Sequence, residues 1–443
     1  MEEFKKKMVE KNKVKVDINL IANKLINIHS FITPQETKQL CIYKDGVYDL
    51  NGEDIVECEL VKCLGSRATK RNRTEIIEQI KILSSKLIKD IVNEDLICVN
   101  NGILNLKTKE LLAHSPQYIF FNKLPVNYDK DAECHKFFKY LDDVLNKYDI
   151  QQLQEFVGYS LMTDTTKYEK ALILHGEGGR GKSTFLKIIT ALFGKENTCA
   201  FTLQQLQDKV ILVELFGKIC NISMDIPNEK IISSEHIKSI ISGDRITGRG
   251  LFKKPLTFTP TCKLMFSCNN LPEPNLNDGD SFFDRWIYIK FDGQNYRKTD
   301  SDGLRMGIPD LDKQIVKKEL SGVLNWALEG YEFVQLSEFA DVKGVKNKWL
   351  RNSDNVYAYR IDRLTETFDD ENWITKKDIY NDYRQYCKEK RFVPVKSIIF
   401  HQKLQKMMEI EEYNPLVDGK QRKAWYGLKW KISYKNDEQS TLD

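Results

Sequence analysis

One segment limits the possible folds of this chain more than any other, the run ALILHGEGGRGKSTFLKIITALFG at residues 171–194. Its aliphatic start is typical of a buried strand, and its second half has the apolar spacing of an amphipathic helix. Between them, Gly176, Gly181, Lys182 and Ser183 fill the G-x-x-x-x-G-K-[ST] spacing that a phosphate-binding loop requires. A glycine-rich turn can match this spacing by chance, but both expected flanks are present here. The segment therefore predicts a strand–loop–helix unit of an α/β fold.

The residue types of this loop suit a nucleotide. Glycines let the backbone come close to phosphates, so that N–H groups and the start of the following helix face the anion. We expect Lys182 to reach the β- and γ-phosphates and the Ser183 hydroxyl to coordinate Mg²⁺, which predicts a site for ATP and Mg²⁺. The glycines of the loop are Gly176, Gly178, Gly179 and Gly181.

Three other strand ends carry side chains that suit the same chemistry. The run ICNISM ends at Asp225, whose carboxylate can hold Mg²⁺ and orient the attacking water. KLMFSC leads to Asn269, an amide able to hydrogen-bond both phosphate and water. Arg285 precedes WIYIKF, and its planar, permanently charged fork suits a transition-state phosphate, often that of a neighbouring subunit. Each residue also has an ordinary structural interpretation: a loop cap, a turn after a strand and a surface ion pair.

The order of these pieces resembles the superfamily 3 helicases, and more closely their phage/plasmid and poxvirus-type primase-helicase branch. The resemblance rests on the segments GEGGRGKST, NISMDIP, HIKSIISGDRITGRGLFKKPLTFTPTCKLMFSCNNLP and DRWIYIKF. It implies an AAA+-like P-loop core that assembles into a hexameric ring. It further implies an ATP-dependent replicative DNA helicase of a mobile genetic element, moving 3′→5′ on single-stranded DNA.

The resemblance also implies catalytic roles. Asp225 matches the family's acidic strand end, Asn269 its sensor asparagine and Arg285 its arginine finger. Many relatives carry a Glu or paired acids where this chain has Met224-Asp225, which leaves two assignments open: Asp225 alone positions the lytic water, or Glu229 contributes. The phosphate loop of the family is matched by Gly181, Lys182, Ser183 and Thr184.

A further part of the resemblance concerns DNA contact. The segment RGLFKKPLTF is strand-like, with a glycine and a proline typical of a protruding hairpin. By motif it matches the family's pore hairpin, which implies that Lys253 and Lys254 touch DNA, with Arg249 close by. Adjacent lysines can follow a phosphate backbone without reading bases. The alternative is a solvated turn.

The tail predicts a second nucleic-acid surface. Residues 373–390 and 393–408 have helical spacing and are followed by a hairpin at 417–432 that interleaves bases with aromatics. Helix, turn, helix and β-wing indicate a winged-helix domain that binds duplex DNA, with docking of another protein as the alternative. The bases that we expect to contact DNA here are Lys396, Lys403, Arg422 and Lys423.

Together these patterns divide the chain. Too few residues precede Phe31 for a primase domain, which predicts a separate primase or polymerase as partner. Residues 73–92 also have helical spacing. The expected parts are a Lys-rich segment (1–30), an α+β N-terminal domain (31–134), the ATPase core (135–346), a linker (347–355), the winged helix (356–432) and a polar tail (433–443).

Composition narrows the functional class. Lys+Arg total 68 against Asp+Glu 64, a net charge of +4, so any DNA surface must be local. The ten cysteines form no CxxC pair, which argues against a zinc site or disulfide framework and fits a reducing cytoplasm. No apolar run approaches the roughly 20 residues of a membrane span. Two other functions stay open: an origin-binding initiator or helicase loader without unwinding activity, and a small-molecule kinase, which the basic tail disfavours.

Overall fold

The chain forms two compact units in the computed structural model. The first comprises the described residues of Met1–Ile226, Ser233–Asn269 and Arg285–Val342, and the second those of Pro227–Ile232, Asn270–Asp284 and Lys343–Asp443. No helix among the residues that the structure describes is long and apolar enough to cross a bilayer. The described residues are 16–35, 37–87, 95–163, 167–231, 233–250, 255–274, 279–295, 308–336, 344–367, 372–417 and 419–431.

The first unit begins with a small α+β region. Its first helix, capped by Asp17, buries Ile21 and Leu25 in a core with Ile76 and Ile80, so this fold starts before the expected boundary at Phe31. Residues 1–15 and the expected tail lie outside the described residues. The elements are α1 (Ile18–Ile28), β1 (Phe31–Pro34), β2 (Cys41–Lys44), β3 (Val47–Asp49), α2 (Gly52–Leu64), α3 (Lys70–Leu83) and β4 (Ser85–Lys86).

The helix expected over 73–92 is shorter at its C-terminal end. α3 ends at Leu83 because the next residues form β4, which pairs in parallel with β1. Its N-terminal end is earlier than expected, since the Thr69 hydroxyl accepts a hydrogen bond from the Asn72 N–H.

The region after β4 shares its core with the part that the sequence predicts to be an ATPase. Ile97, Val99 and Leu104 belong to the same hydrophobic cluster as Phe137 and Tyr140, so position 134 does not separate two cores. A turn at Asn100-Asn101 joins the first two of these strands. The elements are β5 (Leu96–Val99), β6 (Gly102–Asn105), β7 (Leu111–Leu112), α4 (His135–Val144) and α5 (Lys147–Ser160).

A five-stranded parallel sheet forms the centre of the first unit and confirms the α/β prediction. Its order is β14-β8-β13-β10-β9. The strand that precedes the glycine loop is β8, and it lies between β14 and β13. All five residues of β8 are buried, as expected for a strand covered on both faces. The strands are β8 (Ala171–His175), β9 (Thr198–Cys199), β10 (Cys220–Ser223), β13 (Lys263–Cys268) and β14 (Trp286–Lys290).

Helices complete this core. α5 meets α11 so closely that a Cβ on Gly330 would lie 2.0 Å from the Gln154 carbonyl oxygen. An antiparallel pair of strands, β11–β12, follows α8 within the segment expected to form a hairpin, and Lys253 and Lys254 lie outside the described residues. The elements are α6 (Lys182–Phe193), α7 (Lys209–Leu212), α8 (Glu235–Ser242), β11 (Ile246–Gly248), β12 (Leu256–Phe258), α10 (Leu311–Lys318) and α11 (Leu320–Leu336).

The second unit combines helices with a small antiparallel sheet. β16, β20 and β17 form a three-stranded sheet in that order, and its core contains Tyr359, Tyr383, Phe400 and Trp425. The elements are α9 (Asp280–Phe283), α12 (Val345–Ser353), α13 (Asn355–Arg363), β15 (Leu364–Glu366), β16 (Trp373–Thr375), α14 (Lys376–Lys390), α15 (Ser397–Met407), β17 (Glu411–Tyr413), β18 (Leu416–Val417), β19 (Lys420–Gln421), β20 (Ala424–Tyr426) and β21 (Leu428–Trp430).

The segment expected to be a linker, 347–355, is helical instead. It spans most of α12 and the start of α13, and between them Asp354 caps α13 by accepting bonds from the Val356 and Tyr357 N–H groups. Its polar sequence is misleading because Trp349 is fully buried. The boundary between the units falls just before this helix rather than within it.

Candidate nucleotide site

The loop after β8 is shaped by two glycines. Gly181 directly precedes α6 with φ +95°, a left-handed conformation that side chains rarely adopt. Gly176 has φ +153°, and a Cβ there would lie 2.3 Å from the Phe291 carbonyl oxygen. Glycine is therefore required at both ends of the turn. Gly178 and Gly179 lie within it, and the half-buried Ser183 and Thr184 lie in the first turn of α6.

The Lys182 ammonium lies inside this turn. Its side chain is buried, and Nζ donates hydrogen bonds to the carbonyl oxygens of Gly176 at 2.5 Å and Glu177 at 3.0 Å. It also donates to Asn269 Oδ1 at 3.0 Å, although 87 residues separate the two in sequence. The structure thus brings the predicted lysine and the predicted asparagine into direct contact.

Asp225 and Asn269 follow neighbouring strands. β10 and β13 pair in parallel, so both residues lie at the same edge of the sheet as the loop after β8. The backbone N–H of Asp225 donates to Ser267 Oγ at 3.2 Å, and the next N–H donates to the Ser267 carbonyl at 2.9 Å. Asp225 has φ +52° and is exposed, which leaves its carboxylate at the surface of this edge.

These residues fit Mg²⁺ bound together with a nucleotide. Mg²⁺ binds through one or two carboxylates, substrate phosphates and water rather than an all-protein cage. No cluster of three or more His, Cys, Asp or Glu suited to a metal ion occurs in the described part of the chain. The Ser183 hydroxyl and the Asp225 carboxylate supply oxygen ligands, the type that Mg²⁺ prefers.

Two residues that the sequence did not single out, one within the loop and one outside it, tie the loop to its surroundings. The Arg180 guanidinium donates to the backbone carbonyls of Asp292 and Gly293, after β14, and pairs with Glu177 at 2.9 Å. The Tyr140 hydroxyl donates to the Gly181 carbonyl at 2.8 Å. Arg180 occupies a variable position of the motif and Tyr140 belongs to a distant helix, so the motif contained no signal for either.

A buried histidine lies directly before the loop. His175 Nδ1 and the Tyr288 hydroxyl share a hydrogen bond of 2.8 Å between β8 and β14. Burial, with the positive charges of Lys182 and Lys290 nearby, lowers the pKa of His175 from 6.5 to about 4. The imidazole is therefore neutral at neutral pH.

Arg285 lies at the opposite edge of the sheet. β14 runs parallel to β8, with Trp286 opposite Ala171 and Lys290 opposite His175. Arg285 therefore lies at the amino ends of these two strands, whereas the glycine loop lies at their carboxyl ends. A strand of five residues spans roughly 16 Å. The guanidinium bonds Glu169 at 3.0 Å and the Ser242 hydroxyl at 3.0 Å, within the first unit.

The residues expected to contact DNA differ in exposure. Arg249 is exposed just after β11. In the second unit Lys396, Arg422 and Lys423 are exposed, as a DNA contact requires. Lys403 instead forms ion pairs with Glu273 at 2.9 Å and Asp354 at 2.8 Å, contacts that favour a structural role.

Three family models match successive parts of the chain. The model "D5 N terminal like" matches residues 46–146, a family of unknown function (DUF5906) matches 174–285, and "Poxvirus D5 protein-like" matches 351–441. The second match contains the loop after β8 together with Asp225, Asn269 and the position of Arg285.

Individual proteins agree with these matches. Putative helicase L207/L206 of Acanthamoeba polyphaga mimivirus is 25% identical over 220 residues, 45% of this chain and 22% of that protein. At both ends the chain is similar to the D5-type primase-helicases. It spans only about a fifth of that viral relative. The A form apo structure of the NrS-1 C-terminal region has a similar fold, with TM-score 0.51 and 10% identity over 93% of this chain and 100% of that one.

The neutral His175 predicts a pH dependence of stability. Its imidazole stays neutral in the folded chain down to about pH 4, whereas it takes up a proton below about pH 6.5 in the unfolded chain, so stability falls as pH falls through this window. The contribution is at most about 3 kcal/mol. The check is denaturant unfolding of the wild type and of His175→Asn at pH 7, 5.5 and 4. The difference between their free energies of unfolding should become smaller as the pH falls.

The matched control is His135→Asn, at an exposed position. It should change the free energy of unfolding equally little at every pH. A constant difference between wild type and His175→Asn over the whole range would contradict the prediction.

Proposed function

We propose that this chain is an ATP-dependent replicative DNA helicase of a mobile genetic element, working as a hexameric ring that moves 3′→5′ on single-stranded DNA. The observation that carries the proposal is the meeting of Lys182, Asn269 and Asp225 at one edge of a parallel sheet, beside a glycine loop that starts a helix. Ligands of open α/β sheets bind at the carboxyl ends of the strands, where the strand order reverses. The matches to D5-type models at both ends of the chain support the same conclusion.

The residues of this edge have complementary tasks in ATP hydrolysis. The loop N–H groups and Lys182 hold the phosphates, and Lys182 exchanges its bonds to the Gly176 and Asn269 oxygens for phosphate oxygens. Ser183 and Asp225 hold Mg²⁺, which neutralises charge on the phosphate oxygens when bound. Asn269, once released by the lysine, is free to orient the attacking water. Asp225, at the same edge of the sheet, is the carboxylate that we assign to the positioning of that water.

Arg285 acts on the nucleotide of a neighbouring copy. In its own chain it lies at the far end of β14 from the loop, roughly 16 Å away along the strands. A planar guanidinium suits the charge that develops on a transferring phosphoryl group. A ring in which each subunit supplies an arginine to the next accounts for the distance of Arg285 from the loop of its own chain and gives its guanidinium a phosphate to bind.

Two surfaces contact DNA in this proposal. Arg249 directly follows β11, and Lys253 and Lys254 belong to the connection between β11 and β12. This hairpin holds the backbone of the strand in the pore. The second unit is a winged helix: α13, α14 and α15 precede the strands β17 and β20, and β18–β19 forms the wing. Exposed bases on it bind duplex DNA, and a separate primase or polymerase works with the ring in the cytoplasm.

The rival functions predict different behaviour. An origin-binding initiator or helicase loader would use ATP only for assembly and would not unwind DNA. A kinase would pass phosphate to a metabolite, and single-stranded DNA would not affect its turnover.

Replacing Lys182 by alanine should lower kcat for ATP hydrolysis at least 100-fold, because its ammonium lies inside the loop, where the phosphates are proposed to bind. Phosphate release by purified protein measures this. Lys187→Ala is the control, since this lysine lies on the same helix and is exposed in a pair with Asp312. Wild-type hydrolysis in Lys182→Ala would refute the site.

Arg285→Ala should lower kcat at least 100-fold while nucleotide binding and assembly are retained, because Arg285 serves another subunit. Mixing it with Lys182→Ala should restore some hydrolysis, since one interface of a mixed ring then has both residues. Glu169→Ala is the control: it removes the ion-pair partner and keeps the guanidinium. Loss of nucleotide binding in Arg285→Ala would contradict the assignment.

The double variant Lys253→Ala, Lys254→Ala separates the helicase from the initiator. Unwinding of tailed duplexes should be lost while ATP binding is retained, because the contact with the DNA backbone is removed. Duplexes with 3′ and 5′ tails test polarity, and the mass of the assembly tests the ring. Wild-type protein that binds ATP but unwinds neither substrate would favour the initiator.

A further inference from the structure

The chain crosses between its two units beside three of the proposed catalytic residues. It leaves the first unit after Ile226, one residue beyond Asp225, and leaves it again directly after Asn269. It returns at Arg285. Asp225, Asn269 and Arg285 are therefore each within one residue of a point where the chain passes between the units.

The segments between these crossings are built into the second unit. Ile231 is fully buried and Leu271 is 2% exposed, as expected for core residues rather than surface loops. The Ile231 N–H donates to the Glu273 carbonyl at 2.9 Å, so the segment that follows Asp225 is hydrogen-bonded to the segment that follows Asn269.

Trp349 of α12 holds the second of these segments. Its indole N–H donates to the Pro272 carbonyl at 2.9 Å, in a buried position. Its ring also meets the edge of Phe282 at 5.6 Å, three residues before Arg285. One tryptophan therefore contacts the chain both just after Asn269 and just before Arg285.

Lys403 of α15 holds the same segment by charge. Its ammonium bonds the carboxylate of Glu273 at 2.9 Å and that of Asp354 at 2.8 Å. Burial opposes the charge, yet the two carboxylates raise the pKa of Lys403, so it stays protonated. Asp354 is 2% exposed and caps α13. Lys403 therefore connects three parts of the second unit: the start of α13, α15 and the chain after Asn269.

We propose that the second unit sets the position of Asn269, and with it the rate of ATP hydrolysis, through the Glu273–Lys403 and Pro272–Trp349 contacts. Glu273, Trp349 and Lys403 are positioning residues in this scheme, which rests on the proposed function. Glu273 is the fourth residue after Asn269, so a displacement of α12 or α15 is passed to the asparagine through a short stretch of chain. A misplacement of about 1 Å can cost a reaction about 100-fold. Duplex DNA bound to the second unit therefore changes the turnover of ATP.

The test is Glu273→Ala in the full chain. Lys403 keeps Asp354 as its partner in this variant, so the second unit retains its buried charge pair. We expect kcat for ATP hydrolysis to fall about 10-fold with KM for ATP within about two-fold of wild type, because Lys182 and the loop are untouched. Glu273→Gln, which still accepts a bond from Lys403, should recover most of the rate. Glu412→Ala, which breaks the Lys376 pair elsewhere in the same unit, should have wild-type kcat.

A second variant and a second readout keep the test decisive. Trp349→Phe removes the donor to Pro272 while keeping an aromatic ring, and it should lower kcat in the same manner. Hydrogen exchange over residues 223–226 and 264–270 should accelerate in both variants but not in Glu412→Ala. Wild-type kcat together with unchanged exchange in both variants would overturn the proposal. If the wild-type chain releases no phosphate, the proposed function has failed, and exchange alone decides whether the coupling exists.

Discussion

The ammonium of Lys182 is the point on which the site depends. A buried positive charge is unfavourable unless it is well hydrogen-bonded, and this one bonds two loop carbonyls and the amide oxygen of Asn269. Such a lysine can reach two parts of the chain only because β8 and β13 are neighbours in a parallel sheet. The same pairing orders the rest of the edge, since the strand that leads to Asp225 lies directly beyond β13.

The loop around this lysine is held by its surroundings as much as by its glycines. The Arg180 guanidinium donates to the Asp292 carbonyl after β14, and the Tyr140 hydroxyl donates to the Gly181 carbonyl. At the start of the loop, His175 is bonded to Tyr288. These contacts reduce the freedom of the loop before a ligand arrives. Preorganisation of this kind strengthens binding and electrostatic catalysis because less ordering remains when the ligand binds.

Sequence alone predicted what is local and missed what is distant. The glycine loop, the strand before it and the helix after it follow from a contiguous pattern, and Asp225 and Asn269 were located because each follows an apolar strand. Tyr140 was missed because nothing local marks a tyrosine whose partner is a backbone carbonyl 41 residues away. Polar spacing suggested a linker around Trp349, and basic composition suggested a DNA contact at Lys403. Both side chains are occupied by partners that only the tertiary structure supplies.

The second unit is assembled from three stretches of chain. This limits its production as a separate fragment and its exchange by recombination. Residues 343–443 alone would lack Ile231, Leu271 and Phe282, all of which are buried in the intact chain. A truncated fragment of this kind would expose apolar surface and tend to aggregate. Recombination that exchanged only the C-terminal segment for another would leave the inserted stretches without their packing partners. Under the proposed function, recognition of a new DNA site would thus be reached more readily by substitutions on the exposed surface of the unit than by replacement of the whole C-terminal segment.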